Sequence, residues 1–341
     1  MRQYVGLDVA MDETKVHVLD GDGNRMWRGK CHSHPDDIEA VLRQRAPQAE
    51  RIGLETGPLT TWLWTELTGR GLPMVCLDAR HAKRALDMRP NKTDANDAEG
   101  LAHIVRSGWY REVRVKGSEA MLSKALAGAR GQLTTMVTDL SNQIRGIMKT
   151  FGLVVPKGSG GVFERNVHAL LDGAEAIATV VTPLLDVWRL ARQRAAALDR
   201  RLLAAARESS ECRLLMTMPS IGAVTAASFV AAIERPESFT RSRNVGAWLG
   251  LTPRRYQSGE IDYQGHISRR GDSRLRALLY EAAMRLLTRV RADSALRRWG
   301  LALKKRLGFK RAAVAVARKM AVALHAMWRS GVAFDPAPLP G

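Results

Sequence analysis

Apolar residues in the first hundred positions come in short runs rather than long stripes. Tyr4-Val5-Gly6-Leu7-Asp8-Val9-Ala10 is an apolar run broken by one acid, and Lys15 to Leu19 alternates with period two up to the turn Asp20-Gly21-Asp22-Gly23. These predict a hairpin, with a third strand over Arg25 to Lys30. A helix is expected after Pro35, strands over Arg51 to Glu55 and Leu72 to Leu77, and a helix between them over Leu59 to Thr68. Three strands in a meander, then helix and strand in alternation, describe an α/β domain over residues 1–112.

Beyond it the pattern changes. Ser118 to Phe151 and Val167 to Glu208 are rich in Ala, Leu, Arg and Gln with few breakers, which predicts two long antiparallel helices. They flank the flexible loop Pro156-Lys157-Gly158-Ser159-Gly160-Gly161. Residues 113–210 thus read as a coiled-coil spacer, a type of segment that commonly pairs with another subunit as a dimer or tetramer. A mostly helical third region, 211–335, opens with Met218-Pro219-Ser220-Ile221-Gly222, a turn leading into an Ala-rich helix in the manner of a helix-hairpin-helix. After a Gly-containing linker two more helices are expected, Asp272 to Val290 and Lys310 to Trp328, and Lys304, Lys305, Arg306, Lys310 and Arg311 are read as lying together on a later helix.

Charge narrows the partner. The chain of 341 residues carries a formal net charge of +19, yet residues 1–110 hold 15 Lys and Arg against 16 Asp and Glu, so the excess lies entirely downstream. Residues 241–311 alone hold 18 basic side chains against 5 acidic ones. Such a density points to nucleic acid, with a membrane surface second, because clustered Lys and Arg release counterions on binding phosphates. Cys31, Cys76 and Cys212 are odd in number and lack metal-ligand spacing, so neither a disulfide framework nor a zinc site is indicated. With no apolar leader and no long uncharged apolar run, a soluble, cytoplasmic protein is expected.

Candidate chemistry lies in the acids. Asp8 sits inside the first strand and Glu55 at the end of a later one, in Gly53-Leu54-Glu55-Thr56-Gly57. A carboxylate in such surroundings is costly unless paired, protonated or bound to a cation. Lys92-Thr93-Asp94-Ala95-Asn96-Asp97-Ala98 adds two carboxylates three apart, sharing one face of a helix's first turn. Helix capping explains such a pair equally well. Asp8, Glu55, Asp94 and Asp97 together form an all-oxygen set suited to Mg²⁺ or Mn²⁺, and paired ions of this kind stabilise the attacking and leaving oxygens of a phosphodiester displacement.

At these residues the chain resembles the insertion-sequence transposases of the one-hundred-and-ten group, the DEDD transposases, which include the Piv-type invertases. The resemblance covers nearly the whole chain. It rests on Gly6-Leu7-Asp8-Val9, Leu54-Glu55-Thr56-Gly57 and the segment around Asp94 and Asp97, then on Pro219-Ser220-Ile221-Gly222, Trp248-Leu249-Gly250-Leu251-Thr252-Pro253-Arg254, Gln257-Ser258-Gly259 and Ile267-Ser268-Arg269-Arg270-Gly271-Asp272-Ser273-Arg274-Leu275-Arg276. The sequence departs at Ser220, where many members carry Gly in the hairpin turn. The resemblance implies a ribonuclease H-like (RuvC-like) first domain whose four acids are Asp8, Glu55, Asp94 and Asp97. It also implies a serine nucleophile at Ser258 that forms a covalent phosphoserine link to DNA, and guidance by a structured noncoding RNA that bridges target and donor DNA. Chemistry alone does not single out Ser258: an isolated Ser-Gly is ordinarily a turn, and Tyr256, Tyr263 and Ser268 stand nearby.

For grip on phosphate the candidates are Arg254, Arg255, Arg269, Arg270, Arg274 and Arg276 around Ser258, and Lys304, Lys305, Arg306, Lys310 and Arg311 later. Tyr256 and Tyr263 either stack on bases or fill core, and Trp248, in an apolar run, reads as core. The leading expectation is a DNA recombinase. Two rivals stay open: a resolvase-like metal-dependent nuclease that uses water, and a noncatalytic nucleic-acid-binding scaffold.

Overall fold

A computed structural model describes residues 2–86, 94–258 and 261–337, with the side chains of 94–96, 261 and 264 outside that description. The chain divides into two compact units, residues 1–117 and 118–341.

In the first unit the apolar runs become a five-stranded mixed sheet. Its elements are β1 (Gln3–Val9), β2 (Glu13–Leu19), β3 (Arg25–His32), α1 (Pro35–Arg45), β4 (Ala49–Glu55), α2 (Thr60–Gly69), β5 (Met74–Leu77), α3 (Ala79–Leu86) and α4 (Asp94–Ser107). The strand order is β3-β2-β1-β4-β5, antiparallel across the first three strands and parallel from β1 to β4 to β5. Asp20 closes the second hairpin turn by accepting hydrogen bonds from the backbone of Asp22 (2.9 Å) and Asn24 (2.8 Å). Alternation sends Val5, Leu7, Ile52 and Leu54 to one face, where they pack with Ile38, Leu42, Leu63 and Leu67. Tyr4, Val75 and Leu77 go to the other, against Ala82, Leu101, Ile104 and Val105. The central strands are therefore buried on both faces, which explains their near-continuous apolar character.

The second unit is helical except for one hairpin. Its elements are α5 (Ser118–Thr150), α6 (Gly161–Leu171), α7 (Glu175–Glu208), α8 (Ser210–Leu215), α9 (Ala223–Ile233), α10 (Arg243–Trp248), β6 (Pro253–Ser258), β7 (Ile261–Ile267), α11 (Ser273–Thr288), α12 (Ala295–Leu307) and α13 (Phe309–Ser330). Ile144 and Met148 of α5 pack with Val181 and Leu185 of α7, and Arg130 pairs with Asp199 at 2.8 Å, so the two long helices are antiparallel as expected. Trp188 is buried under Phe163 (ring centroids 5.1 Å apart) and its Nε1 donates to Ser141 Oγ at 2.8 Å. Both long helices also pack on α9, which ties them into the same unit as the C-terminal helices.

Three expectations are corrected. The stretch from Val167 to Glu208 is not one helix: it breaks after Leu171, where Gly173 takes φ +76°, and Glu175 starts α7. Lys304, Lys305 and Arg306 do not share a helix with Lys310 and Arg311; they close α12, and Gly308 at φ +80° turns the chain into α13. The segment expected as a linker contains the β6–β7 hairpin. Ser220, by contrast, explains itself: it sits at φ +70°, a left-handed conformation that glycine adopts without strain, and its Oγ donates to the Ala282 carbonyl at 2.8 Å.

Candidate functional site

The acids are positioned by strand register. Leu7 of β1 stands opposite Leu54 of the parallel β4, so Asp8 and Glu55 lie one step further, at the same carboxyl edge of adjacent strands. By alternation they share the face of Gly6 and Gly53. Asp8 is also opposite Lys15 of β2, and Glu55 opposite Leu77 of β5. Both acids are half-buried.

That face is the one α4 crosses, and glycine makes the crossing close. A Cβ added at Gly6 would sit 2.0 Å from the Ala98 carbonyl oxygen and 2.5 Å from the Ala102 nitrogen; one at Gly53 would sit 2.5 Å from Val105 Cγ1. Tyr4 clusters with Leu101, Ile104 and Val105, while Gly6 lies against Ala98 and Ala102, so following β1 toward Asp8 means moving back along α4 toward its first turn. Asp97, half-buried in that turn, and Asp94, whose side chain lies outside the described residues, therefore belong to the end of α4 on the side of Asp8 and Glu55. Among the described residues no three His, Cys, Asp or Glu side chains are gathered tightly enough to hold a metal ion. The donor set itself is all carboxylate, the chemistry Mg²⁺ or Mn²⁺ prefers.

One neighbour carried no signal in the sequence beyond its place in the alternation. His17, opposite Gly6 on β2, is 3% exposed and its Nε2 has no hydrogen-bond partner. Burial pushes its pKa down, opposed by the carboxylate of Glu99 on α4.

In the second unit Ser258 is the last residue of β6 and is exposed, paired in register with Ile261 across the hairpin. Around it the arginines divide by what they touch. Arg255 holds Asp262 through two hydrogen bonds of 2.9 and 2.6 Å. Arg276 donates to the carbonyls of Leu249 (3.0 Å) and Arg270 (2.8 Å), fixing the loop between α10 and α11, and Arg274 donates to the Ala127 carbonyl on α5 at 2.9 Å. Arg254, Arg269 and Arg270 are exposed, with Arg254 reaching the Ser268 carbonyl at 3.4 Å. Lys304, Lys305, Arg306, Lys310 and Arg311 are all exposed at the α12–α13 corner, Lys304 lying over the Phe309 ring at 5.5 Å. Trp248 packs on the core and meets Phe239 edge-on at 5.6 Å.

Comparison with known proteins decides the family. Residues 212–298 match the profile of the IS116/IS110/IS902 transposase family, and residues 5–152 match that of the DEDD transposases of the IS110 type. The chain is 31% identical over 333 residues to the transposase for insertion sequence element IS1111A of Coxiella burnetii, covering 95% of this chain and 89% of that protein. The chain belongs to the IS110/IS116 transposase family. It is also 30% identical over 343 residues to a probable family 20 transposase of Pseudomonas aeruginosa (97% and 98% covered), and 24% identical over 210 residues to the transposase for insertion sequence element IS1328 of Yersinia enterocolitica (61% and 62%). A transposase of this family is a DNA-processing enzyme with DNA as its partner. Its DEDD domain implies a ribonuclease H-like fold, in keeping with the mixed sheet, and points to divalent metal use. No helix among the described residues is long and apolar enough to cross a membrane.

Proposed function

We propose that this transposase cuts and rejoins DNA strands with a carboxylate tetrad, Asp8, Glu55, Asp94 and Asp97, and a serine nucleophile, Ser258. The observation that carries the reading is the shared carboxyl edge of β1 and β4, which sets Asp8 beside Glu55 on the face crossed by α4, with the acidic first turn of α4 toward that edge. Bound Mg²⁺ or Mn²⁺ supplies charge neutralisation at the scissile phosphate. The four carboxylates hold and orient that charge. The Ser258 hydroxyl gives up its proton, its Oγ–P bond forms as the bridging P–O bond of the DNA breaks, and the leaving sugar oxygen takes a proton. Attack by a second sugar hydroxyl reverses the step, releasing Ser258 and conserving the phosphodiester without ATP. Arg254, Arg269, Arg270 and the α12–α13 corner neutralise backbone phosphates, while Arg255, Arg274 and Arg276 order the protein segments that carry them.

The division of labour follows the three stretches of the chain: 1–112 as the RuvC-like acid carrier, 113–210 as the helical region through which a dimer or tetramer assembles, and 211–335 as the serine carrier. On the family resemblance, we assign target choice to a structured noncoding bridge RNA.

A nicked suicide substrate tests the reading. Protein trapped on cleaved DNA, lost in Ser258→Ala and in Asp8→Asn, is the expected result. Free hydrolysed ends with Ser258→Ala still active would assign the acids to a water-using nuclease. Retained recombination in Asp8→Asn would leave only a binding scaffold.

A further inference from the structure

Among its described residues, the β6–β7 hairpin is an arm without a core. All the residues of β6 are exposed, and no described residue of 253–267 belongs to any of the buried clusters. A two-stranded hairpin with nothing packed on it is marginal in water, so its composition is not explained by burial. Yet it carries two large aromatic rings. Tyr256 and Tyr263 are register partners, 56% and 61% exposed, with ring centroids 6.2 Å apart and planes tilted by 42°. That exposure removes the alternative that they fill core.

Alternation gives the pair its neighbours. Residues 256 and 258 lie in the regular part of the ladder and point to one side of the strand, so Ser258 stands on the tyrosine face, about 7 Å along the strand from Tyr256, whereas the register shift between Pro253 and Arg255 stops that alternation short of the exposed Arg254. Arg255 and Asp262 neutralise each other on the opposite face. The hairpin sequence, with Arg254 and Arg255 against Glu260 and Asp262, is formally neutral, so it is the exposed rings rather than net charge that suit a partner carrying flat apolar surfaces. The tilt and spacing of the rings leave no slot between them, so one base lies over the pair rather than between its members.

We propose that Tyr256 and Tyr263 form a stacking platform for an unpaired base of the DNA strand whose phosphate Ser258 attacks. The choice of strand rests on the serine reading above; the platform itself rests on the exposed pair. Stacking is sequence-tolerant because every base has a π face, and it holds the strand unstacked from its duplex beside the nucleophile.

The test uses the full-length protein and single-stranded deoxyoligonucleotides carrying 2-aminopurine at one position at a time. With the wild-type protein, quenching is expected at one position or two adjacent ones, unchanged in Tyr256→Phe, Tyr263→Phe and Ser258→Ala. Tyr256→Ala and Tyr263→Ala should abolish that quenching and weaken binding about ten-fold, with an unchanged melting temperature because neither ring is buried. Wild-type protein that quenches nowhere, or alanine variants that bind and quench as wild type, would overturn the platform. An RNA of the same sequence bound ten-fold more tightly than DNA would overturn the assignment to DNA. Covalent trapping is read separately. If trapping fails while the quenching pattern holds, the serine reading falls and the platform stands.

Discussion

Asp8 and Glu55 leave strands buried on both faces, whereas Ser258 leaves a strand with no buried residue at all. The difference separates two ways of holding a reactive group. An acid at the edge of a doubly covered sheet inherits its position from the core: β1 cannot shift without breaking apolar contacts on both sides, and α4 is seated on backbone where Gly6 leaves room. A serine on a bare hairpin inherits no such constraint. On the proposed mechanism, its placement against a substrate comes from what the hairpin binds, which is where the proposed tyrosine platform enters.

Divalent metal should distinguish the two carriers most strongly. Chelation is expected to abolish covalent trapping by at least ~10³-fold, on the scale of losing a whole electrostatic stabiliser of the transition state. The same comparison can be made without activity. Millimolar Mg²⁺ should raise the melting temperature of the wild type and of Ser258→Ala, but not of Asp8→Asn, since a ligand stabilises only the fold that binds it. A melting shift that survives Asp8→Asn would show that the acids at the β1–β4 edge are not where the metal sits.

The next largest effect concerns how α4 is seated. Gly6→Ala pushes a methyl group into the α4 backbone and should destabilise the first unit by about 3 kcal/mol, read by urea unfolding. Gly21→Ala is the control: nothing lies within 4 Å of its Cβ, and the change should stay within about 0.5 kcal/mol. Equal costs at the two positions would mean that α4 does not press on β1.

How much of this was legible beforehand follows the same division. The sheet could be read because strands buried on both faces write themselves as apolar runs, and the acids stood out as Asp8 interrupting one such run and Glu55 ending another. The role of Gly6 could not, because the backbone that needs the space belongs to a helix far along the chain. The hairpin reads as a linker in the sequence for a physical reason: Arg254, Arg255, Tyr256, Gln257 and Ser258 offer no apolar alternation when the whole strand is exposed. The helix breaks at Gly173 and Gly308 were hidden in Ala- and Leu-rich surroundings, where strong helix formers on both sides can carry a single glycine inside a helix at a cost of about 1 kcal/mol. Nor could sequence say which arginines are spent internally; Arg276 looks like its neighbours until its carbonyl partners are seen.

A smaller effect tests whether the two units share an acid sensitivity. His17 in the first and His325 in the second are both buried, and burial pushes both pKa values down. Each is neutral when folded and takes a proton more readily when unfolded, so stability is fully present above the unfolded value near 6.5 and falls as pH drops below it. His325 has both nitrogens satisfied, at 2.9 Å from Ser242 Oγ and 2.9 Å from the Pro236 carbonyl, while His17 leaves Nε2 unpaired. His17→Phe should therefore remove acid sensitivity from the first unit at little cost, and His325→Phe should destabilise the second at every pH. Melting curves between pH 7 and 5 decide it, and a first unit that stays acid-sensitive in His17→Phe would exonerate His17.

The smallest effect is the sharpest statement about the hairpin. Arg70 and Arg255 both make short ion pairs, but in different settings. Arg70 reaches Asp36 (2.7 Å) and Glu39 (2.9 Å) on α1 and Glu66 (3.6 Å) on α2, tying together two helices that also share a core. Among the described residues, Arg255 meets Asp262 alone, on the neighbouring strand of an exposed arm. An isolated exposed pair gives little net stability, because water screens it and both side chains lose freedom in making it, whereas a network spanning packed elements loses less. Arg70→Ala should lower the melting temperature measurably, and Arg255→Ala should leave it within about 1 °C of wild type. A drop of several degrees in Arg255→Ala would mean that the hairpin is part of the cooperative fold. Ser258 would then be held in place before any DNA arrives, and the contrast between a core-fixed acid and a substrate-placed serine would fail.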